Sequence, residues 1–183
     1  TLSIETNGRT MMGITPSDLV NLQTDLPTPL AAYGTNCGLG AAEVVAAIIN
    51  MRQAANLAGD DPILVAKGNC GIPEWVDGKI CYSGTPELMA SYAKMVIDAG
   101  ARIVGGCCGT SPEHIAVMRE AIDNHVAGSA PSHDDITSTL GVITSGAKAQ
   151  MSGDLSIAGG AAGPGKKASG RSRRRLKPSN SIF

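Results

Sequence analysis

One pattern recurs four times over residues 1–127: an apolar or β-branched run, a turn rich in Gly, Asn and Cys, and an amphipathic helix. The runs are Leu2 to Thr6, Leu30 to Gly34, Ile63 to Ala66, and Arg102 to Val104 with the glycines that follow. Short, β-branched and turn-bounded, they predict buried strands rather than helices. Strand, turn and helix in strict alternation require parallel strands joined by crossover helices. Two architectures satisfy that rule, an open doubly wound sheet and a (β/α)8 barrel. A full barrel takes about 250 residues, so four units match half of one. They match a small open sheet equally well, and the pattern leaves both open.

The helix starts are legible. Thr15-Pro16, Thr85-Pro86 and Ser111-Pro112 each place a hydroxyl before a proline. The hydroxyl can accept an orphan N–H, and proline at the first helical position gives up an N–H that has no partner there. Behind Pro86 the apolar face is Leu88, Tyr92, Met95, Val96 and Ala99, ending at Gly100. Behind Pro112 it is Ile115, Met118 and Ile122. A further helix is predicted from about Ala41 to Leu57, with Val45, Ile48 and Ile49 on one side and Gly59 just beyond its end.

After Ala127 the character changes. Residues 128–183 are rich in Gly, Ser, Ala and Pro, and Val142-Ile143 is the only apolar pair there resembling a strand. This composition predicts a disordered tail that adds nothing to the fold. Charge divides the chain differently. Residues 1–165 carry 8 basic and 16 acidic side chains, whereas 166–183 carry 7 basic and no acidic ones. An acidic body gives no reason to expect nucleic acid, and the Arg-rich end reads as a solvated tail. No run of 18 apolar residues appears, so no membrane-spanning helix is expected. Five cysteines, two of them adjacent, do not suggest a secreted disulfide framework. Reduced thiols in a cytoplasmic enzyme fit better.

Four of those cysteines fall just past predicted strands: Cys37, Cys70, and the pair Cys107-Cys108. In a parallel α/β fold these strand ends share one face, where ligands bind. Gly-rich surroundings let a ligand approach the backbone closely. Thiols converging on one face suggest zinc, which in catalytic sites takes three protein ligands and leaves one position open. Adjacent residues on a strand point to opposite faces, so Cys107 and Cys108 can share an ion only if the backbone leaves β geometry there. The Gly34–Gly40 loop lacks the lysine and the spacing of nucleotide-binding loops. His114 and His125 read as surface residues; Trp75 either lines, with Pro73, the face near Cys70 or is a loop aromatic on the core edge.

Gly34-Thr35-Asn36-Cys37 and Gly105-Gly106-Cys107-Cys108-Gly109-Thr110, continued by Ser111-Pro112-Glu113-His114-Ile115, resemble the homocysteine S-methyltransferase family. The resemblance runs from about Thr1 to Ala127. The stretch from Asn7 to Pro16 is similar to bacterial betaine–homocysteine methyltransferases. The resemblance implies a (β/α)8 barrel of which this chain holds the last four βα units, strands five to eight, as the C-terminal half of a longer enzyme. It implies zinc held by Cys37, Cys107 and Cys108, with Cys70 outside the metal site, and substrate contacts at Gly34 and Asn36. The implied activity is zinc-dependent methyl transfer to the homocysteine thiol, giving methionine. Betaine is the favoured donor; methylcobalamin, methyltetrahydrofolate and S-methylmethionine are the alternatives. The implied partners are homocysteine, a small methyl donor and the missing N-terminal barrel half. Open strand edges also make self-association an expectation.

Overall fold

A computed structural model describes residues 1–5 and 7–154. Its centre is a parallel sheet of β1 (Tyr33–Cys37), β2 (Leu64–Gly68) and β5 (Ala101–Gly106), in the order β1-β2-β5. Leu2 extends it by one bridge beside β1, donating its N–H to Gly34 O and accepting from Asn36 N at 3.0 Å each. The first predicted strand is thus reduced to a single bridge, and its last residue, Thr6, lies outside the described residues. The second begins at Tyr33 rather than Leu30, which is 44% exposed, so Cys37 is the last residue of its strand instead of following it.

The helices are α1 (Pro16–Thr24), α2 (Ala41–Ala58), α3 (Pro86–Asp98), α4 (Pro112–Asp123), α5 (His133–Leu140) and α6 (Ser145–Met151). The predicted caps form. Thr15 accepts from Asp18 N while the Asp18 carboxylate accepts from Thr15 N, and Thr85 accepts from Leu88 N. Helix α2 is buried along most of its length and ends at Gly59 with φ 71°. It packs on the sheet and against α1, α3, α5 and α6. The core is centred on Val44, Val45, Ile48 and Met51 of α2, Leu64 and Ala66 of β2, and Met89, Tyr92 and Val96 of α3.

Residues 73–82 form a hairpin that the strand-helix alternation did not predict. Its antiparallel strands are β3 (Pro73–Val76) and β4 (Lys79–Tyr82). They are joined by Asp77-Gly78 with φ 49° and 77°, positive at both residues as a type I′ turn requires. That Asp-Gly pair was the available signal.

The reading of 128–183 as a structureless tail is corrected for residues up to 154; residues 155–183 lie outside the described residues. Helix α5 starts on a capping box in which Ser132 and Asp135 exchange hydrogen bonds. Helix α6 starts on Thr144, whose hydroxyl accepts from Ala147 N. Ile136, Ile143 and Ala147 enter the main core at 0%, 5% and 2% exposure. Val142-Ile143 belongs to the link between the two helices, with Val142 exposed. Three well-placed apolar residues anchor the segment, too few to shift its composition.

No closed barrel forms among the described residues. Beyond β2, β5 pairs with no further described strand. Of the apolar face predicted for α4 only Met118 is buried, against α3, while Ile115 is 46% exposed. Ile103, Ile115, Met118 and Ile122 line an open groove of about 360 Å³ beside that edge. The architecture is a mixed α/β one of parallel strands and packed helices, consistent with part of a (β/α)8 barrel.

Candidate metal centre

Cys37 ends β1 and takes φ 53°, a left-handed conformation uncommon for a residue with a side chain, followed by Gly38 at φ 70°. A Cβ on Gly38 would lie 2.3 Å from Ile4 O, so only glycine fits there. Strand β5 stops at Gly106, and Cys107 and Cys108 occupy the turn beyond it, with Gly109 at φ 76°. The backbone therefore leaves β geometry at the pair, which is what two adjacent cysteines need in order to face one point.

They do face one point. Cys37 Sγ lies 2.7 Å from Cys107 Sγ and 3.8 Å from Cys108 Sγ. All three sulfurs fall within 4.8 Å of one another. Cys37 and Cys107 are partly buried and Cys108 is exposed, so the cluster sits at the mouth of the strand ends. Tetrahedral Zn–S bonds of about 2.3 Å place ligating sulfurs about 3.8 Å apart. The Cys37–Cys108 separation already has that value, and the Cys37–Cys107 pair must open by about 1 Å to seat an ion. Three thiols, with no fourth donor grouped with them among the described residues, suit a catalytic rather than a structural zinc.

The sequence model of the family described as homocysteine S-methyltransferase matches residues 1–122. The chain belongs to that family. The match ends within α4, so α5 and α6 lie beyond it.

The other predicted residues of this methyltransferase-family chain fall as follows. Gly34 is buried in β1, and a Cβ there would sit 1.9 Å from Val65 O, so close strand approach already demands glycine. Asn36 is half-buried, with Nδ2 3.4 Å from Ser3 Oγ. Its register partner is Lys67, which places an amide and a cation side by side on one face of the sheet, one residue before Cys37. Cys70 stays outside the thiol cluster: it is 1% exposed, and its sulfur contacts Gly84 O at 3.2 Å and His114 Nε2 at 3.1 Å. Burial raises the pKa of that thiol.

Two histidines depart from the surface reading. His114 bonds to Cys70 and caps α4, its Nδ1 accepting from Ser111 N at 3.1 Å. His125 Nε2 lies 2.8 Å from the Asp98 carboxylate, and both side chains are about four-fifths covered. Trp75 is an exposed loop-side aromatic on the hairpin, 73% accessible.

Sequence reasoning also missed three contributors to the site. Asn69 is buried; its Oδ1 accepts from Cys108 N and its Nδ2 donates to Gly38 O, so one amide ties the two cysteine turns together. Tyr82, from β4, lies over Gly109, where a Cβ would meet its ring at 2.3 Å. Its hydrogen bond with Cys108, then burial and the nearby sulfurs, push its phenol pKa upward. Lys67 is the third. The Asn in Asn69-Cys70-Gly71 was visible as part of a turn, but its two-sided bonding depends on turns 31 and 39 residues away.

Proposed function

We propose that the chain carries the metal-binding half of a homocysteine S-methyltransferase, transferring a methyl group to the homocysteine thiol to form methionine. The convergence of three thiols from β1 and the turn after β5 supports this reading. Cys37, Cys107 and Cys108 would hold zinc, leaving one position for the substrate sulfur. Zinc, when bound, supplies Lewis-acid chemistry that favours a deprotonated thiol, whose free pKa is about 8.5.

The remaining work falls to the protein. Asn36 and Lys67 offer a hydrogen-bonding group and a positive charge to the amino-acid end of homocysteine, and Gly34 keeps that face of β1 free of a side chain. Tyr82 stands beside the exposed Cys108 on one side of the site. The substrate sulfur attacks the methyl carbon in line, so that an S–C bond forms as the donor's bond to that carbon breaks. The thiol proton passes to solvent, and the donor leaves one methyl lighter. No side-chain base is required, which suits a cluster whose nearest histidine is committed to Cys70 and Ser111.

Betaine is the favoured donor, with methylcobalamin, methyltetrahydrofolate and S-methylmethionine as alternatives. The unpaired edge of β5 and the groove beside it are where the N-terminal barrel half would complete the fold and bring the rest of the substrate site. A second reading follows from that edge: alone, the chain is a zinc-binding half-barrel without turnover. No described helix is long and apolar enough to cross a membrane, and free thiols suit the cytoplasm.

The test is zinc content together with methionine formation from homocysteine and each donor, with and without the N-terminal half. One zinc per chain and betaine-dependent methionine in the completed protein support the proposal. Absence of metal, or turnover unaffected by loss of the cysteines, refutes it.

A further inference from the structure

The Cys107-Cys108 turn is closed by one bond of its own, Thr110 N–H to Cys107 O at 3.3 Å. Its other bonds go to residues 68–70: Cys107 N–H donates to Gly68 O at 2.8 Å, Cys108 N–H to Asn69 Oδ1 at 3.2 Å, and Cys70 N–H to Cys108 O at 2.9 Å. The Cys108 peptide is therefore gripped on both its donor and its acceptor. Where Cys108 Sγ points depends on where the backbone of Cys70 lies.

Cys70 is located in turn by its carbonyl, which accepts Gly84 N–H at 3.1 Å, and by its side chain. The thiol sits between Gly84 O and His114 Nε2. On the other side of the imidazole, Nδ1 accepts the Ser111 backbone N–H and lies 2.7 Å from Ser111 Oγ. A backbone N–H can only donate, so Nδ1 is the acceptor and the neutral ring carries its proton on Nε2, aimed at the Cys70 sulfur. The thiol proton is then directed to Gly84 O. The series joins the start of α4 to the turn that holds Cys108.

We infer that His114, acting through Cys70, is a positioning residue that fixes the Cys108 sulfur for metal capture. This rests on the three-thiol reading above and extends it to a pair, buried Cys70 and half-buried His114, lying outside the thiol cluster. Groups that orient metal ligands without touching the ion typically change metal affinity 10–100-fold when removed. The Cys70–His114 pair belongs in that class, because losing it removes the side-chain anchor of the residue whose N–H holds the Cys108 carbonyl.

The experiment is a cobalt(II) titration of the full chain under reducing conditions, with chelator competition for affinity and the ligand-field bands for geometry. His114→Ala should weaken cobalt binding by about 10–100-fold and alter the bands while one ion per chain still binds at saturation. Cys70→Ala should do the same, and adding His114→Ala to Cys70→Ala should cause little further loss. His114→Gln, which can both cap Ser111 N–H and donate to the sulfur, should recover most of the affinity. Because it keeps both bonds it also serves should His114→Ala fail to fold. Affinity and bands unchanged in His114→Ala, or strictly multiplicative losses from the two sites, overturn the inference while leaving the metal centre intact. A parent chain with no thiolate-cobalt spectrum overturns the three-thiol reading itself, and this inference with it.

Discussion

The Glu43 carboxylate, in the first turn of α2, accepts the backbone N–H of Thr144 at 2.5 Å, across 101 residues of sequence. Glu43 is 4% exposed, and Thr144 is the residue on which α6 begins. That bond, the Gln150 amide on Gly8 O and the Asn7 carboxamide on Gly146 N make the 133–151 segment part of the domain.

Removing residues 133–183 should therefore destabilise the protein. Burying an isoleucine is worth about 2–3 kcal/mol, and the segment buries Ile136 and Ile143. The expected loss is at least about 3 kcal/mol, which for a domain of this size lowers Tm by about 6–12 °C. Ile136→Ala alone should cost about 2–5 kcal/mol. Thermal melts decide this; an unchanged Tm would return the segment to a tail.

Glu43 also predicts a pH dependence. Burial raises its folded-state pKa, opposed only in part by the Thr144 hydrogen bonds. The native state thus holds the proton more tightly than the unfolded chain, where glutamate titrates near about 4.3. Its favourable contribution is full below that value and is lost as pH rises through the folded pKa. Denaturant midpoints of the parent minus Glu43→Gln should fall between about pH 4 and pH 7. A difference that grows with pH contradicts the assignment.

Gly68 N–H, at the end of β2, donates to the hydroxyl of the fully buried Tyr92 at 2.9 Å. A Cβ on Gly68 would press on that ring at 3.0 Å, so glycine and tyrosine are fitted to each other. Tyr92→Phe leaves a buried donor without a partner and should cost about 1–3 kcal/mol. Chemical denaturation measures it. Because Gly68 O also holds Cys107 N–H, a secondary loss of metal affinity is expected in the same variant.

For the metal itself, Cys37→Ser, Cys107→Ala and Cys108→Ala should each abolish one-per-chain zinc, while Cys70→Ala should keep full occupancy at saturating metal. Metal analysis after gel filtration reads the outcome. Full zinc in any of the first three variants removes that residue from the site.

The sequence carried the repeating units well because each is marked locally. Proline after a hydroxyl residue starts α1, α3 and α4, and Gly59 ends α2. The cysteine set was equally visible, since glycines flank each thiol and strand ends must share a face. What escaped were relations set by the third dimension. His114 looks like one polar residue in a first helical turn until Cys70 is brought against it. Asn69 resembles any turn asparagine until both its neighbours are cysteine turns. Helices α5 and α6 were hidden because Ile136, Ile143 and Ala147 are diluted among polar and small residues, and composition averages over them. The hairpin was overlooked because alternation was read as the whole plan.

The order β1-β2-β5 means that Cys37, the last residue of β1, and Cys107, just past the end of β5, belong to strands that share no ladder, with β2 between them. An ion held by them would act as a reversible cross-link closing a 70-residue separation. Because it favours only the folded arrangement, free metal becomes a thermodynamic variable of the fold. Each tenfold rise above the dissociation constant adds about 1.4 kcal/mol to stability. The slowest amides should shift accordingly: with metal, protection should concentrate in β2, the strand bridged over, and a chelator should release it without breaking any hydrogen bond of the sheet directly.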